Sequence, residues 1–133
     1  MKSRLEEAQA YIDNAKRILN LSQWEIKVKD YPSAEDSYAD IEPHDNLWHA
    51  KLRLSEDFFK EPAEEQRKII AHELLHLHYA GVERLVGSAE SVMGAAAYDL
   101  YSKVWEIEVE RAADALSGPV GGLLPIPKFK RVK

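Results

Sequence analysis

Residues 69 to 81 read IIAHELLHLHYAG and hold three of the five histidines of the 133-residue chain. His72 and His76 stand four residues apart, and Glu73 directly follows the first. On an α-helix, residues four apart differ by about 40° in direction and about 6 Å in height, so both imidazoles can reach one ion. Imidazole nitrogens bind zinc at about 2.0 to 2.1 Å, and a ligand pair on a rigid helix loses little entropy on binding. Glu73 points near the same face, where its carboxylate can touch a water on that ion without being a ligand. A metal lowers the pKa of such a water, and a neighbouring carboxylate takes its proton.

The helix that this chemistry needs is signalled independently. Pro62 suits the first helical position, Glu61, Glu64 and Glu65 suit the positive end of the helix dipole, and Gly81 sits where helices commonly stop. The expectation is one helix over residues 62 to 80. Ile69, Ile70, Leu74, Leu75 and Leu77 surround the histidines, which places them in the core and argues against a solvated, merely histidine-rich face.

Composition narrows the chemistry further. With no cysteine, neither a disulfide framework nor a thiolate zinc site is open to the chain, so any metal must be held by His, Asp or Glu. A formal charge of -5, with 45% hydrophobic and 31% charged residues, describes a globular domain and argues against nucleic acid as a partner. The N-terminus MKSRLEEAQAYIDNAKRILN has no uninterrupted apolar stretch, and no later segment approaches the roughly 18 apolar residues of a membrane span. A cytoplasmic location with no membrane partner is the resulting expectation.

The remaining segments outline one domain over residues 1 to 133. Leu5, Ala8, Ile12, Ala15 and Leu19 recur at helical spacing, so residues 3 to 20 form an amphipathic N-terminal helix. In QWEIKVKDY, Trp24, Ile26 and Val28 alternate with charged residues as in a half-buried strand that Pro32 closes. SYADIEPH is a candidate second strand. In NLWHAKLRL, Trp48, Ala50, Leu52 and Leu54 share one face, which marks a third. The fold class expected is therefore α+β, with a small, mostly antiparallel sheet. A second long helix is bracketed by Ser88 as N-cap and by SGP at 117 to 119, and residues 118 to 133 follow as a Gly/Pro-punctuated tail with a basic end.

A catalytic zinc needs three protein ligands and one open position. The second long helix carries WEIEVERAADALSG, in which Glu110 and Asp114 lie one turn apart on one face. Glu110 can complete a His/His/Glu shell, and Asp114 can hydrogen-bond the far nitrogen of a ligand histidine and fix its tautomer. Glu106, one turn earlier, is the rival third ligand, whereas Glu108 points away. His78 is rotated about 200° from His76 and cannot join the same ion. His44 and His49 fall in strand or turn contexts, and Tyr79, Tyr98 and Tyr101 could offer a hydroxyl but suit the core.

H-E-x-x-H on one helix and E-x-x-x-D on the next resemble the active-site signature of the gluzincin metallopeptidases, with the chain's length similar to their minimal single-domain members. The resemblance spans residues 24 to 117 in element order and rests on five positions. It implies a zincin-like domain in which His72, His76 and Glu110 bind zinc, Glu73 is general base and acid, and Asp114 supports the shell. It also implies a peptide or protein substrate; the chain is expected to act as a monomer. Larger members add a downstream His or Tyr for the oxyanion, from a further subdomain that these 133 residues are not expected to include. Residues 47 to 54 are the expected edge strand for substrate pairing, unless Lys51 and Arg53 only guard that edge. The tail could lie along it as a pseudo-substrate or, the favoured reading, pack Leu123, Leu124 and Ile126 on the core. The alternative function is a non-catalytic module that keeps the zinc for regulation or partner binding.

Overall fold

The computed structural model describes residues 3–29, 37–44 and 48–129. Helix α1 (Arg4–Ile18) starts where the Ser3 hydroxyl accepts from the Glu6 amide at 3.2 Å. It ends on Asn20, whose φ of 60° lets the Leu21 amide donate back to the Lys16 carbonyl at 2.7 Å and the Asn20 amide to Arg17. Ala8, Ile12 and Ala15 are fully buried along one stripe, as the spacing predicts.

Strands β1 (Glu25–Lys29), β2 (Ala39–His44) and β3 (His49–Leu54) form one sheet in the order β1-β3-β2. Ile26, Val28, Ala50, Leu52 and Leu54 turn inward in the expected alternation. The sheet is mixed: β1 pairs with β3 in parallel, and only β2 with β3 is antiparallel. Residues 49 to 54 are consequently the central strand and not the edge, because Leu52 is flanked by Val28 on one side and Ile41 on the other. Alternation shows which face of a strand is buried but carries no information on the direction or number of its neighbours. The outer edge of β1 is sealed by Gln9 of α1, whose amide donates to the Ile26 carbonyl at 2.7 Å and accepts from the Val28 amide at 2.9 Å. This leaves β2 as the outer strand beside the helices. Pro32 and the basic end of the tail, 130 to 133, lie outside the described residues.

A short helix α2 (Glu56–Lys60), capped by Ser55, buries Phe58 and Phe59. Helix α3 (Ala63–Ser88) then begins with Pro62 as its capping residue and runs through Gly81 without stopping there. A glycine within a helix costs only about 1 kcal/mol relative to alanine, and at Gly81 the chain is held helical beyond the core by its return partner. The break falls instead at α4 (Glu90–Met93) and Gly94, whose φ of 87° is the conformation that needs glycine. Ser88 therefore ends α3 and does not cap the next helix. Helix α5 (Ala95–Gly121) packs antiparallel on α3 and continues past Gly118 and Pro119, since a proline in the last turns forfeits one amide and leaves most of the ladder intact.

The described part of the tail packs on the core. Leu124 is buried, the Tyr11 hydroxyl donates to the Pro125 carbonyl at 2.7 Å, and Arg67 Nη1 donates to the Leu124 carbonyl at 3.2 Å. The Phe129 ring meets those of Tyr11 and Phe59 edge-on, at 5.4 and 5.7 Å between centroids. Leu123 and Ile126, also expected in the core, stay largely exposed, because the turn after α5 points only Leu124 inward.

Burial raises the Tyr11 phenol from its ordinary 10.0 to about 12, so the stabilisation carried by its neutral form is complete below pH 10 and lost as the pH rises through 12. Tyr11→Phe should lower unfolding stability by about 1 kcal/mol at neutral pH through loss of the Pro125 bond. The gap between variant and parent should narrow in denaturant titrations repeated above pH 10; a gap that is constant with pH would show that Tyr11 is not tied down in the fold.

Candidate metal centre

Helices α3 and α5 bring the predicted residues together. His72 and His76 sit one turn apart on α3 with their Nε2 atoms 3.4 Å from each other. The Glu110 carboxylate of α5 faces both, with one oxygen 3.2 Å from His72 Nε2 and the other 2.9 Å from His76 Nε2. His72 Nδ1 lies 3.0 Å from an oxygen of the Asp114 carboxylate. With a carboxylate beside Nδ1 to accept its proton, Nε2 can serve as the lone-pair donor that a metal ligand requires.

The donors fit a metal. Two atoms bonded to one tetrahedral ion at about 2.0 to 2.1 Å lie roughly 3.3 Å apart, and the imidazole and carboxylate atoms here already lie at such separations. His72, His76 and Glu110 thus form a group able to hold a metal ion, each offering one ligand atom within 4.8 Å of the others. Burial holds the His76 imidazole below its ordinary pKa, against the opposing pull of Glu110, which favours the neutral ring that binds metals.

Glu73 is pushed up to about 8, first by burial, then by the negative charges of Glu110 and Asp40. It stands at the centre of a cleft between α3 and β2. Two adjoining cavities of about 350 and 400 Å³ share Ser37, Ala39, His72 and Glu73, so the cleft passes over the histidine and the glutamate with room on both sides. Toward the start of α3 it is lined by Lys68 and Ile69, and toward the other end by Asp40, Ile41 and Glu110.

The rival residues fall elsewhere. Glu106 is exposed and outside the donor group, and Glu108 pairs with Arg111 at 3.4 Å. His78 turns to the opposite side, its Nε2 2.8 Å from the Leu19 carbonyl. His49 meets Glu25 at 3.2 Å on the outer face of the sheet, directly across from His44. Tyr79, Tyr98 and Tyr101 do not line the cleft. Sequence reasoning missed the opposite wall: Ser37, Tyr38 and Asp40. Tyr38 hydrogen-bonds Glu61, which raises its pKa, and Asp40 accepts from Arg53 Nε at 2.7 Å across the β2–β3 pair. The only available signal was SYADIEPH as a strand following on the first, which does not reveal that it borders the histidines.

No protein-family model, curated protein or solved structure matches the chain.

His72→Ala, His76→Ala and Glu110→Ala should each lose tightly bound metal in elemental analysis of the purified protein, while Glu106→Ala retains it. Asp114 is an exposed support, so Asp114→Ala should weaken metal affinity by about tenfold, near the lower end for such groups. Retention of full affinity by Glu110→Ala would remove it from the shell. Ala113, fully buried where α5 meets α3, tests the shell without touching it. Ala113→Leu should push the helices apart and lower metal affinity at least as much as Asp114→Ala, a result read by competition with a chelating dye.

Proposed function

We propose that the chain is a zinc-dependent metalloendopeptidase of the gluzincin type. The observation that carries this reading is the convergence of two imidazole Nε2 atoms and one carboxylate on a single point, beside a half-buried glutamate in an open cleft. The donor set of two histidines and one glutamate, with no thiolate, is one that catalytic zinc uses. Zinc held there would supply an acidified water and polarise the carbonyl of the scissile bond.

The protein's own residues carry the proton work. Glu73, adjacent to His72 and outside the donor group, is placed to take the proton of the attacking water and return it to the leaving amine. Its raised pKa, with burial as the leading cause, makes it a stronger base than an exposed carboxylate. Asp114 orients His72 and keeps its donor lone pair on the cleft side. The substrate runs along β2, whose outer edge faces the cleft, as an added extended strand. Pro43 has no amide to offer, so pairing is expected near Ala39 to Ile41. Room on both sides of His72 supports cleavage within a chain over trimming at its end.

The test uses the full chain loaded with one zinc and an unstructured protein as substrate. Wild type should cleave it, and Glu73→Gln should keep the zinc and lose about 10²- to 10⁴-fold in turnover. A zinc-loaded wild type that cuts nothing, or a Glu73→Gln variant as active as the parent, overturns the peptidase reading and leaves a non-catalytic zinc module.

A further inference from the structure

Helix α5 is apolar on two opposite faces, and among the described residues only one of them is covered. Toward α3 it turns Val109, buried, and Tyr98, Ser102 and Trp105, half-buried. On the far side Leu100, Val104 and Ile107 are 68%, 53% and 54% exposed. A helix with apolar residues on opposite faces is ordinarily buried on both. Together with Ala97, these three repeat at spacings of three, four and three residues, the 3.5-residue period of a coiled-coil seam.

We propose that this stripe is a dimer interface, in which α5 of a second copy packs in parallel against it about a two-fold axis. This reading is independent of the metal and of hydrolysis, and it replaces the monomer expected from the sequence. The residue types select a second copy. In heptad terms Ala97 and Val104 occupy the first core position and Leu100 and Ile107 the second. Val104 at the first and Leu100 at the second are the pairing that favours two parallel strands.

Charges flanking the stripe select the direction. Lys103 precedes Val104 and Glu108 follows Ile107, so a parallel pair sets Lys103 of one copy against Glu108 of the other, twice by symmetry. An antiparallel pair built on the same layers sets Lys103 against its own copy. Within one chain Lys103 reaches Asp99 at 3.1 Å and Glu108 reaches Arg111 at 3.4 Å, all on exposed side chains that remain free to turn across the seam. The next core position is Arg111, whose like charges bound the seam at that end. Four core positions per chain make a small interface, of the weak and reversible class.

Sedimentation velocity on the full chain, from micromolar to submillimolar concentration, tests the proposal. Wild type should pass reversibly from monomer to dimer, and Val104→Lys should stay monomeric throughout with an unchanged circular dichroism spectrum. Lys103→Glu should weaken the dimer by about tenfold, and adding Glu108→Lys should restore it to within about threefold. Both charge positions are exposed, so these variants keep the test open even where Val104→Lys fails to fold. A wild type that is monomeric at every concentration overturns the proposal, whatever else covers the stripe. A Val104→Lys variant that folds and still dimerises places the contact elsewhere, and a charge-swapped pair that fails to recover overturns the parallel register.

Discussion

The close approach of α5 to α3 is the constraint on which the rest of the molecule depends. Val109, Ala113, Ser117 and Gly121 recur every fourth residue along α5, and all four are buried. Three of them carry side chains no larger than a hydroxymethyl group, which lets one helix backbone lie near the other. A Cβ added at Gly121 would stand 3.4 Å from the Cα of Lys68. Glu110 and Asp114 each follow a member of this line by one position. Their carboxylates are therefore delivered to the flank of the helix contact, where His72 and His76 project.

The opposite wall of the cleft is fixed by different means. β2 is held by its ladder to β3 and by the Asp40–Arg53 pair across it, so Ser37, Ala39 and Asp40 face α3 from a hydrogen-bonded platform. β3 is locked in turn by a neighbour on each side, and the outer edge of β1 is occupied by the Gln9 amide in place of another strand. Among the described residues, the one sheet edge left beside the cleft is that of β2. The same arrangement that hides β3 puts the outer edge of β2 at the candidate metal centre.

The local part of this plan was legible in the sequence. Spacing alone put His72 and His76 on one face of a helix, and the E-x-x-x-D spacing selected Glu110 and Asp114, because helical geometry converts sequence distance into direction with little ambiguity. Strand alternation likewise identified Ile26, Val28, Ala50, Leu52 and Leu54 as inward residues. What could not be read was set by contacts distant in sequence. The parallel pairing of β1 with β3 depends on a crossover through β2, and no residue of HAKLRL records it. Gly81 resembled a helix end, yet α3 continues because α5 returns beside it; Gly94, with its positive φ, is the true break. Pro119 resembled a stop and lies within α5.

Residue size along α5 divides the helix between two tasks. From 109 to 121 the buried line is small, and the helix sinks against α3 at the level of the donors. From 100 to 107 the outward line is large and apolar, and among the described elements α5 makes its main contacts with α3 and α4. Glu110 falls at the junction: it follows Val109 of the buried line and lies one turn after Ile107 of the exposed one. Its side chain is itself 58% exposed, so among the described residues the carboxylate that faces the two imidazoles is only partly shielded. A second copy seated along Leu100, Val104 and Ile107 would end beside that carboxylate. Water around Glu110 would be reduced without any new ligand, and electrostatic attraction between the carboxylate and a cation grows as the surroundings become less polar. Were α5 to self-associate through its outer face, that contact and the metal-binding group on its inner flank would lie within one helical turn of each other.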